Sequence, residues 1–242
     1  MAQTEGVLWW YRALHRQVAE ALAQHPHGTE TRVVDAGCGT GGLLLFLRQR
    51  GYRRLSGFDV SEHAVRLCRE RGLAVARHDL RRLDQAVGVE GAEAIISNDT
   101  LYFLTRAEQG RFIQACWEAL APGGLLILNL PALAAFRGLH DLSVGIRGRF
   151  SRSDVTRLLD PERFEVIQAL FWPFLLSPLI YGVRLLQRWR LRLGPQQDFA
   201  SDVRLPPRWL NQALEAVTQF ENRWLPWKPF GSSLFVVSRK RG

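Results

Sequence analysis

Three alternate glycines follow an acid at the end of an apolar run in residues 33–41, Val-Val-Asp-Ala-Gly-Cys-Gly-Thr-Gly. Gly37, Gly39 and Gly41 allow a tight turn and a close approach of the backbone to a ligand, because they carry no Cβ atom that could collide with it. A helix that begins after such a turn presents unpaired N–H groups to the ligand. The pattern therefore predicts a binding site for a nucleotide-type cofactor.

Asp35 distinguishes between two cofactor classes that the glycines alone leave open. Gly37, Gly39 and Gly42 also fit the dinucleotide fingerprint G-x-G-x-x-G, in which a pyrophosphate lies at the turn. An acid two residues before the first glycine instead favours a ligand with a positively charged amino group, such as S-adenosylmethionine. An NAD-dependent oxidoreductase stays the alternative, although the chain lacks the Tyr-x-x-x-Lys pair that such an enzyme could use.

The charge and the cysteines limit the other function classes. The 242-residue chain has a formal net charge of +9, and all of its basic residues except Lys228 and Lys240 are arginines scattered along the sequence. Scattered arginines give little support to a nucleic-acid partner. Cys38, Cys68 and Cys116 lie far apart without C-x-x-C spacing, and the first residues contain no secretory signal. These features predict a cytoplasmic protein with reduced thiols and no metal site.

Short apolar strands alternate with helices along most of the chain. The predicted strands are 31–36, 54–59, 74–78, 94–97, 125–130, 164–170 and 233–238, and the predicted helices are 7–25, 41–50, 62–71, 106–120 and 151–159. This order predicts an α/β fold with a doubly wound, mostly parallel seven-stranded sheet, covered by helices on both faces. Ligands of such sheets bind at the carboxyl ends of the strands.

The segment 169–183 is unusually apolar and follows a predicted active-site loop at 131–150. Its apolar stretch is shorter than the ~20 residues that a membrane-spanning helix needs, and Pro173 and Pro178 would interrupt it. Two interpretations stay open. The segment is either a hydrophobic substrate lid or homodimer patch, or a peripheral membrane element over 169–192 that holds arginines against anionic lipid.

The polar residues at the strand ends resemble those of class I S-adenosylmethionine-dependent methyltransferases over residues 30–130. The matching positions are Asp35-x-Gly37-x-Gly39-x-Gly41, Asp59, His78-Asp79-Leu80, Ser97-Asn98-Asp99-Thr100-Leu101 and Leu120-x-Pro122-Gly123-Gly124. The resemblance implies that Asp59 binds both ribose hydroxyls and that Asp79 contacts the adenine amino group beside Leu80. Asn98 is implied to line the same cofactor site. A carboxylate can accept two hydroxyl hydrogen bonds in one fork, as the role of Asp59 requires.

A looser resemblance to small-molecule methyltransferases extends to the N-terminus and to the loop after the fifth strand. It implies that an N-terminal helix covers the cofactor and that Tyr11 and His15 contact the substrate. We expect His140 to be the catalytic base, because an unperturbed imidazole titrates near neutral pH, and Tyr102 to assist it. Phe103 stands where related proteins have a histidine, so that position provides no base.

The sequence as a whole predicts a single methyltransferase domain that acts on a small, hydrophobic or lipid-like acceptor. Its parts are a cofactor-covering helix at 1–28, a cofactor-binding core at 30–130, a substrate loop with an apolar helical elaboration at 131–232, and a terminal strand with a basic tail at 233–242. A nucleic-acid methyltransferase is disfavoured, because residues 98–101 lack the Asn/Asp-Pro-Pro-aromatic motif that holds a flipped base. Besides the oxidoreductase, a membrane-associated non-catalytic cofactor-binding protein stays open.

Overall fold

A computed structural model of the chain describes residues 5–86, 88–138, 141, 145–193 and 205–242. Its strands are β1 (Val33–Ala36), β2 (Leu55–Asp59), β3 (Val75–Arg77), β4 (Ala92–Asn98), β5 (Leu120–Pro131), β6 (Phe164–Trp172) and β7 (Ser233–Lys240). They form one sheet in the order β3-β2-β1-β4-β5-β7-β6. Strands β1 to β5 are parallel, whereas β7 is antiparallel to both β5 and β6. This sheet confirms the predicted doubly wound, mostly parallel fold.

Helices cover both faces of the sheet. They are α1 (Trp9–Ala23), α2 (Gly42–Gln49), α3 (Glu62–Glu70), α4 (Arg106–Ala119), α5 (Arg152–Leu158), α6 (Ser177–Leu193) and α7 (Arg208–Trp224), with short 3₁₀ turns at Gly28–Glu30, Leu80–Gln85, Leu101–Phe103 and Ala134–Phe136. Side chains of β1 alternate between the two faces. Val34 packs in a buried cluster with Phe112 of α4, whereas Val33 packs with Leu14 of α1 and Leu47 of α2. The carboxyl end of β1, where the glycines follow, is thereby fixed from both sides.

The C-terminal half differs most from the sequence-based expectation. The apolar segment 169–183 is two elements, because its first four residues complete β6 and bury Phe171 and Trp172 in the sheet, while α6 begins at Ser177. Helix α7 is absent from the sequence-based prediction. In the part of the chain that the structure describes, no helix is long and apolar enough to cross a membrane.

Strand boundaries also differ from the predicted ones, most clearly in β5 and β4. Strand β5 begins directly after α4, at Leu120, because Leu120 pairs with Ala92 before an irregularity lets the Pro-Gly-Gly turn bulge out and pairing resumes at Leu125. Strand β4 is longer at both ends than the predicted 94–97. The predicted strand cores are otherwise at the positions where the apolar runs placed them.

Candidate cofactor and active site

The glycine loop after β1 adopts a conformation that larger residues would strain. Gly37, Gly39 and Gly41 have φ angles of 83°, 53° and 84°. A Cβ atom on Gly37 would collide with the side chain of Thr100, and one on Gly41 would lie 2.9 Å from the Cys68 sulfur. The three predicted loop glycines therefore form a tight turn directly before α2, whose first N–H groups point into it.

Asp59, at the end of β2, holds this loop to the neighbouring strand. Its Oδ2 accepts the Gly39 N–H at 2.9 Å, and its Oδ1 accepts the Ser61 N–H at 2.8 Å. Each carboxylate oxygen has two lone pairs, so both can accept one further hydrogen bond. The structure thus places Asp59 beside the predicted cofactor loop with acceptor capacity left over. Its contact with ribose stays a prediction.

Asp35 lies beneath the loop and is only 3% exposed. Burial, together with the nearby negative charges of Glu5 and Asp59, raises the pKa of the Asp35 carboxyl to about 8. A raised carboxyl pKa means that folding has removed water without supplying a compensating positive charge. A cation bound at this end of the sheet would supply it.

Glu5 is a functional candidate that the sequence analysis missed. Although it precedes α1, its carboxylate reaches the start of α2, where Oε2 accepts the Thr40 hydroxyl at 2.5 Å and the Gly42 N–H at 3.2 Å. A carboxylate at a helix N-terminus is stabilised by the helix dipole. No local pattern indicates this contact, because its partners follow 35 and 37 residues later in the sequence.

Asp99, immediately after β4, is a second such candidate. Its backbone φ of 53° is unusual for a residue with a side chain and is found where surrounding structure imposes it. The Asn129 amide donates to Asp99 Oδ2 at 3.0 Å, and Asn129 Oδ1 in turn accepts the indole N–H of Trp172 at 2.8 Å. Burial raises the pKa of Asp99 to about 7, although the Asn129 hydrogen bond and the charge of Arg149 oppose the shift. Asp99 is thereby held in one orientation with a pKa near neutrality.

Tyr11 and Tyr102 share the electrostatic environment of Asp99. Burial raises the pKa of Tyr11 to about 12, and the charges of Glu5 and Asp99 add to the effect. The pKa of Tyr102 is also raised by burial, with further contributions from Asp99 and Tyr11. Both phenols therefore remain protonated at neutral pH. The structure therefore brings Tyr11 and Tyr102 close to Asp99. Their predicted contacts with the substrate stay predictions.

His15 lies deeper in the fold than a substrate-binding residue would. It is 6% exposed, and its ring packs 5.3 Å from the ring of Phe46. Burial and the charge of Arg50 lower the pKa of His15 to about 4, so the imidazole is neutral at physiological pH. The His15 ring packs against the start of α2, where a Cβ atom on Gly42 would lie 3.4 Å from it. A substrate contact of His15 stays a prediction.

Asp79 and Leu80 follow β3, Asn98 ends β4, and their predicted contacts with the cofactor stay predictions. The Asp79 carboxylate caps the turn that follows it by accepting the Arg81 N–H at 2.9 Å, and it also pairs with the Arg81 guanidinium at 3.0 Å. A methyl group of Leu80 approaches Gly37. Asn98 has a buried side-chain oxygen with no hydrogen-bond partner among the described residues. Such an orphaned acceptor indicates a missing donor.

His140, the predicted base, lies outside the described residues. Its neighbour Asp141 forms a buried bidentate ion pair with Arg149, at 2.7 and 3.1 Å, and also accepts the Gly138 N–H at 2.8 Å. Arg149 further donates to the carbonyl oxygens of Ala132 and Ser232. The loop after β5 is therefore anchored to the sheet next to Asp99. Within the described ranges, no cluster of His, Cys, Asp or Glu could hold a metal ion.

Residues 33–124 match a family model described as a methyltransferase domain. Among curated proteins, a carboxy-S-adenosyl-L-methionine synthase of Shewanella halifaxensis (strain HAW-EB4) is 30% identical over 115 residues, which are 45% of this chain and 47% of that protein. A second such synthase, from Aliivibrio fischeri (strain MJ11), is 27% identical over 149 residues, which are 57% of this chain and 58% of that protein. The chain spans about half the length of the curated relatives it matches.

Solved structures share the fold over nearly the whole chain. The N-methyltransferase NodS of Bradyrhizobium japonicum WM9, in complex with S-adenosyl-L-homocysteine, has a TM-score of 0.56 and 16% identity and covers 96% of this chain and 88% of that one. An S-adenosylmethionine-dependent methyltransferase of Mesorhizobium loti has a TM-score of 0.58 and 14% identity, with 92% and 96% covered. At these identities the two structures establish a common fold.

Proposed function

We propose that the chain is a class I S-adenosylmethionine-dependent methyltransferase that methylates a small hydrophobic acceptor, because residues 33–124 match a methyltransferase domain and the fold is shared with such enzymes. The cofactor supplies a methyl group on a positively charged sulfur, which a nucleophile in line with the S–CH₃ bond can take directly. The protein must therefore bind a cation, orient the acceptor and receive the acceptor's proton. Each of these tasks has candidate residues at the carboxyl end of the sheet.

The acids around the glycine loop support binding of a positively charged cofactor. Asp35 lies beneath the loop with a raised pKa, Glu5 lies at the start of α2, and Asp59 retains acceptor capacity beside Gly39. Asp59 would hold the ribose hydroxyls, and the unpaired oxygen of Asn98 would accept a donor of the cofactor. A bound ammonium or sulfonium group would offset the charge of Asp35. A dinucleotide would instead bring its pyrophosphate toward these carboxylates.

The observation that carries the proposed reaction is the position of Asp99. It follows β4 at the end of the sheet where such folds bind ligands, its orientation is fixed by Asn129, and its pKa is about 7. A carboxylate with a pKa near the working pH is suited to accept a proton from an acceptor hydroxyl or amine. Asp99 is thus the proposed base, with His140 retained as the alternative that the sequence suggested.

Tyr11 and Tyr102 would orient the acceptor rather than deprotonate it. Their raised pKa values keep the phenols protonated, so each can donate a hydrogen bond to an acceptor oxygen or to Asp99. Phe103 lies next to Tyr102, with ring centroids 4.3 Å apart, and is 44% exposed. The aromatic rings of Tyr102 and Phe103, with the carboxylate of Asp99, support an apolar acceptor that carries one nucleophilic group.

Calorimetric titration of the purified chain with S-adenosylmethionine tests the cofactor assignment. We expect binding by the wild type, strong weakening in Asp59→Ala, and no change in Asp84→Ala, which removes an exposed acid of the same charge. Binding of NAD in place of S-adenosylmethionine would overturn the proposal. Equal affinity in Asp59→Ala would refute the ribose assignment.

Transfer of radiolabelled methyl into a cell extract, separated into lipid and aqueous fractions, tests the reaction. Label in an acceptor supports methyl transfer, and label in the lipid fraction supports the hydrophobic acceptor. Label only in the aqueous fraction would refute the hydrophobic acceptor. A synthase of carboxy-S-adenosylmethionine, as the relatives are named, would instead change the mass of the cofactor and leave the extract unlabelled.

A further inference from the structure

Helix α6 buries polar side chains and exposes apolar ones, which is the reverse of a helix that covers a hydrophobic core. Its buried or partly buried side includes Ser177, Arg184 against Gly138, and Arg188, which donates to the carbonyl of Ala135 at 3.2 Å. Its exposed large apolar side chains are Leu179, Tyr181, Val183, Leu185, Leu186 and Trp189. A surface helix of a soluble protein normally buries its apolar stripe and exposes its polar one.

Helix α7 shows the same reversal. Its buried residues are Asn211, Glu215, Thr218 and Glu221, which recur at helical spacing and are all polar. The opposite stripe begins at Trp209 and continues through Ala213 and Ala216 to Phe220 and Trp224. Trp209 and Trp224 are 70% and 63% exposed. Two consecutive helices thus present their apolar faces away from the protein.

The two helices meet at one end. Glu221 of α7 accepts the backbone N–H groups of Phe174 and Leu175, both at 2.8 Å, in the turn that leads into α6. The ring of Phe174 packs 4.8 Å from that of Phe230, in the loop after α7. The start of α6 and the end of α7 therefore lie next to each other. We call the exposed apolar side chains of the two helices, which are Leu179, Leu186 and Trp189 of α6 with Trp209, Phe220 and Trp224 of α7, the apolar patch.

Among the described residues of 173–193 and 205–232, the exposed charges have one sign. Over the described residues of 173–193 and 205–232, the acids are Glu215 and Glu221, and both are buried. Glu215 pairs with Arg12 at 3.3 Å and Arg16 at 2.8 Å, while Glu221 pairs with Lys228 at 3.7 Å. The exposed charges in these ranges include Arg208 and Arg223. Within these ranges the patch therefore has a basic border and no exposed acid.

We propose that the apolar patch binds the surface of an anionic lipid bilayer. Exposed tryptophans and leucines on reversed amphipathic helices, bordered by arginines, match the acyl boundary and the negative headgroups of such a surface. A second copy of this chain would bring one basic border against another, which charge repulsion disfavours. With no spanning helix in the described chain, the contact is peripheral.

Helix α7 is also linked to α1, the helix that the sequence predicts to cover the cofactor. Asn211 accepts the Trp9 N–H at 2.9 Å and donates to the Val7 carbonyl at 2.8 Å, and Glu215 pairs with two arginines of α1. A bilayer bound by the patch would lie across α7 from α1, about one helix diameter away. This position would hold lipid-dissolved acceptors near the α1 side of the predicted site, which extends the proposed function to membrane-held acceptors.

Co-sedimentation of the full chain with vesicles tests the proposal. We expect binding to vesicles of equal parts phosphatidylcholine and phosphatidylglycerol, weak binding to phosphatidylcholine alone, and weakening by added salt. The double variant Leu186→Gln/Trp224→Gln should lower the partition coefficient at least tenfold. Both side chains are exposed, so their loss leaves the folded core intact. Val166→Gln, which changes a similarly exposed apolar residue on edge strand β6, should bind as the wild type does.

Three results would overturn the proposal. They are equal binding by the double variant, equal binding to neutral vesicles, and a lipid-free dimer, measured by light scattering, that the double variant dissociates. The last result would assign the patch to a second copy of the chain. The vesicle assay needs no methyl acceptor, and cofactor calorimetry on each variant reports separately on the proposed function. A chain that binds vesicles but not S-adenosylmethionine would refute only the proposed function.

Discussion

Asp35 and Asp99, at the carboxyl end of the sheet, have no ion-pair partner among the described residues, whereas Asp141, Glu215 and Glu221 each lie against an arginine or a lysine. Burial raises the pKa of Asp35 to about 8 and that of Asp99 to about 7. Asp35 and Asp99 therefore keep their protons to a higher pH than an ordinary aspartic acid does. The charges of Asp141, Glu215 and Glu221 are instead balanced by basic side chains of the protein.

This difference separates residues that act from residues that hold the structure together. A buried carboxylate without a cation costs stability, so its presence is expected where a ligand charge or a transferred proton completes it. A carboxylate paired by folding has no such capacity left. We therefore assign Asp35 and Asp99 to the proposed binding and chemical site, and Asp141, Glu215 and Glu221 to its supports.

The largest effect is expected from Asp99→Asn. The asparagine oxygen can still accept the Asn129 hydrogen bond, but the side chain can no longer accept a proton. We expect methyl transfer to fall by roughly 10²–10⁴-fold in kcat, while cofactor affinity stays unchanged. Single-turnover transfer of labelled methyl measures the first quantity, and calorimetry measures the second. A variant with wild-type kcat would remove Asp99 from the chemistry and return the base to His140.

Arg149→Met should produce the largest loss of stability on the structural side of the comparison. It leaves Asp141 charged and buried, and it removes two hydrogen bonds to backbone carbonyls. We expect the free energy of unfolding to fall by about 3–5 kcal/mol in denaturant titrations. The control Arg163→Met breaks an exposed pair with Asp160 at 3.6 Å and should cost no more than about 1 kcal/mol. Equal losses in both variants would show that burial of the Asp141 pair is unimportant.

The sequence predicted the fold and the loop because both follow from local patterns. Alternating apolar runs and turns indicated the strands, and the acid with three glycines indicated the turn between β1 and α2. Glu5 and the Trp172–Asn129–Asp99 chain could not be found in this way. Their contacts join residues tens of positions apart, and only the packed sheet brings them together.

Helix α7 shows a different limit of sequence analysis. Its apolar stripe, had it been recognised, would have been assigned to the core, since periodicity shows that one face is apolar but not where that face points. The protein instead buries Asn211, Glu215, Thr218 and Glu221. Thr218 donates to the Leu214 carbonyl within α7, whereas the partners of the other three lie in α1 and the residues before it, in the turn before α6 and in the loop after α7. The buried polar face depends on those distant partners.

Asp35→Asn should change how stability depends on pH. In the folded wild type the raised pKa keeps Asp35 protonated to higher pH than in the unfolded chain, so its contribution is complete below about pH 4 and is lost as pH rises toward 8. An uncharged asparagine at position 35 cannot ionise, so the variant does not lose this stability as the pH rises. We expect the stability of the variant relative to the wild type to rise by roughly 4 kcal/mol between about pH 5 and pH 8, since each pH unit contributes about 1.4 kcal/mol, as measured by urea unfolding. A constant difference across that range would contradict the proposed lack of a cation.

The smallest effect is expected from Glu215→Gln, on the paired side of the comparison. Arg12 and Arg16 are partly exposed, so water replaces much of what they lose, and we expect unfolding to become easier by about 1 kcal/mol. Because Glu215 ties α7 to α1, the helix predicted to cover the cofactor, the same variant should weaken cofactor binding severalfold in calorimetry. Glu20→Gln, an exposed acid of α1, should change neither quantity. Loss of stability without any change in cofactor affinity would show that α7 supports α1 without affecting the site. Glu215, whose charge is balanced by arginines, would then contribute to stability alone, whereas Asp35 and Asp99, which lack such partners, would remain the acids proposed to act on ligands.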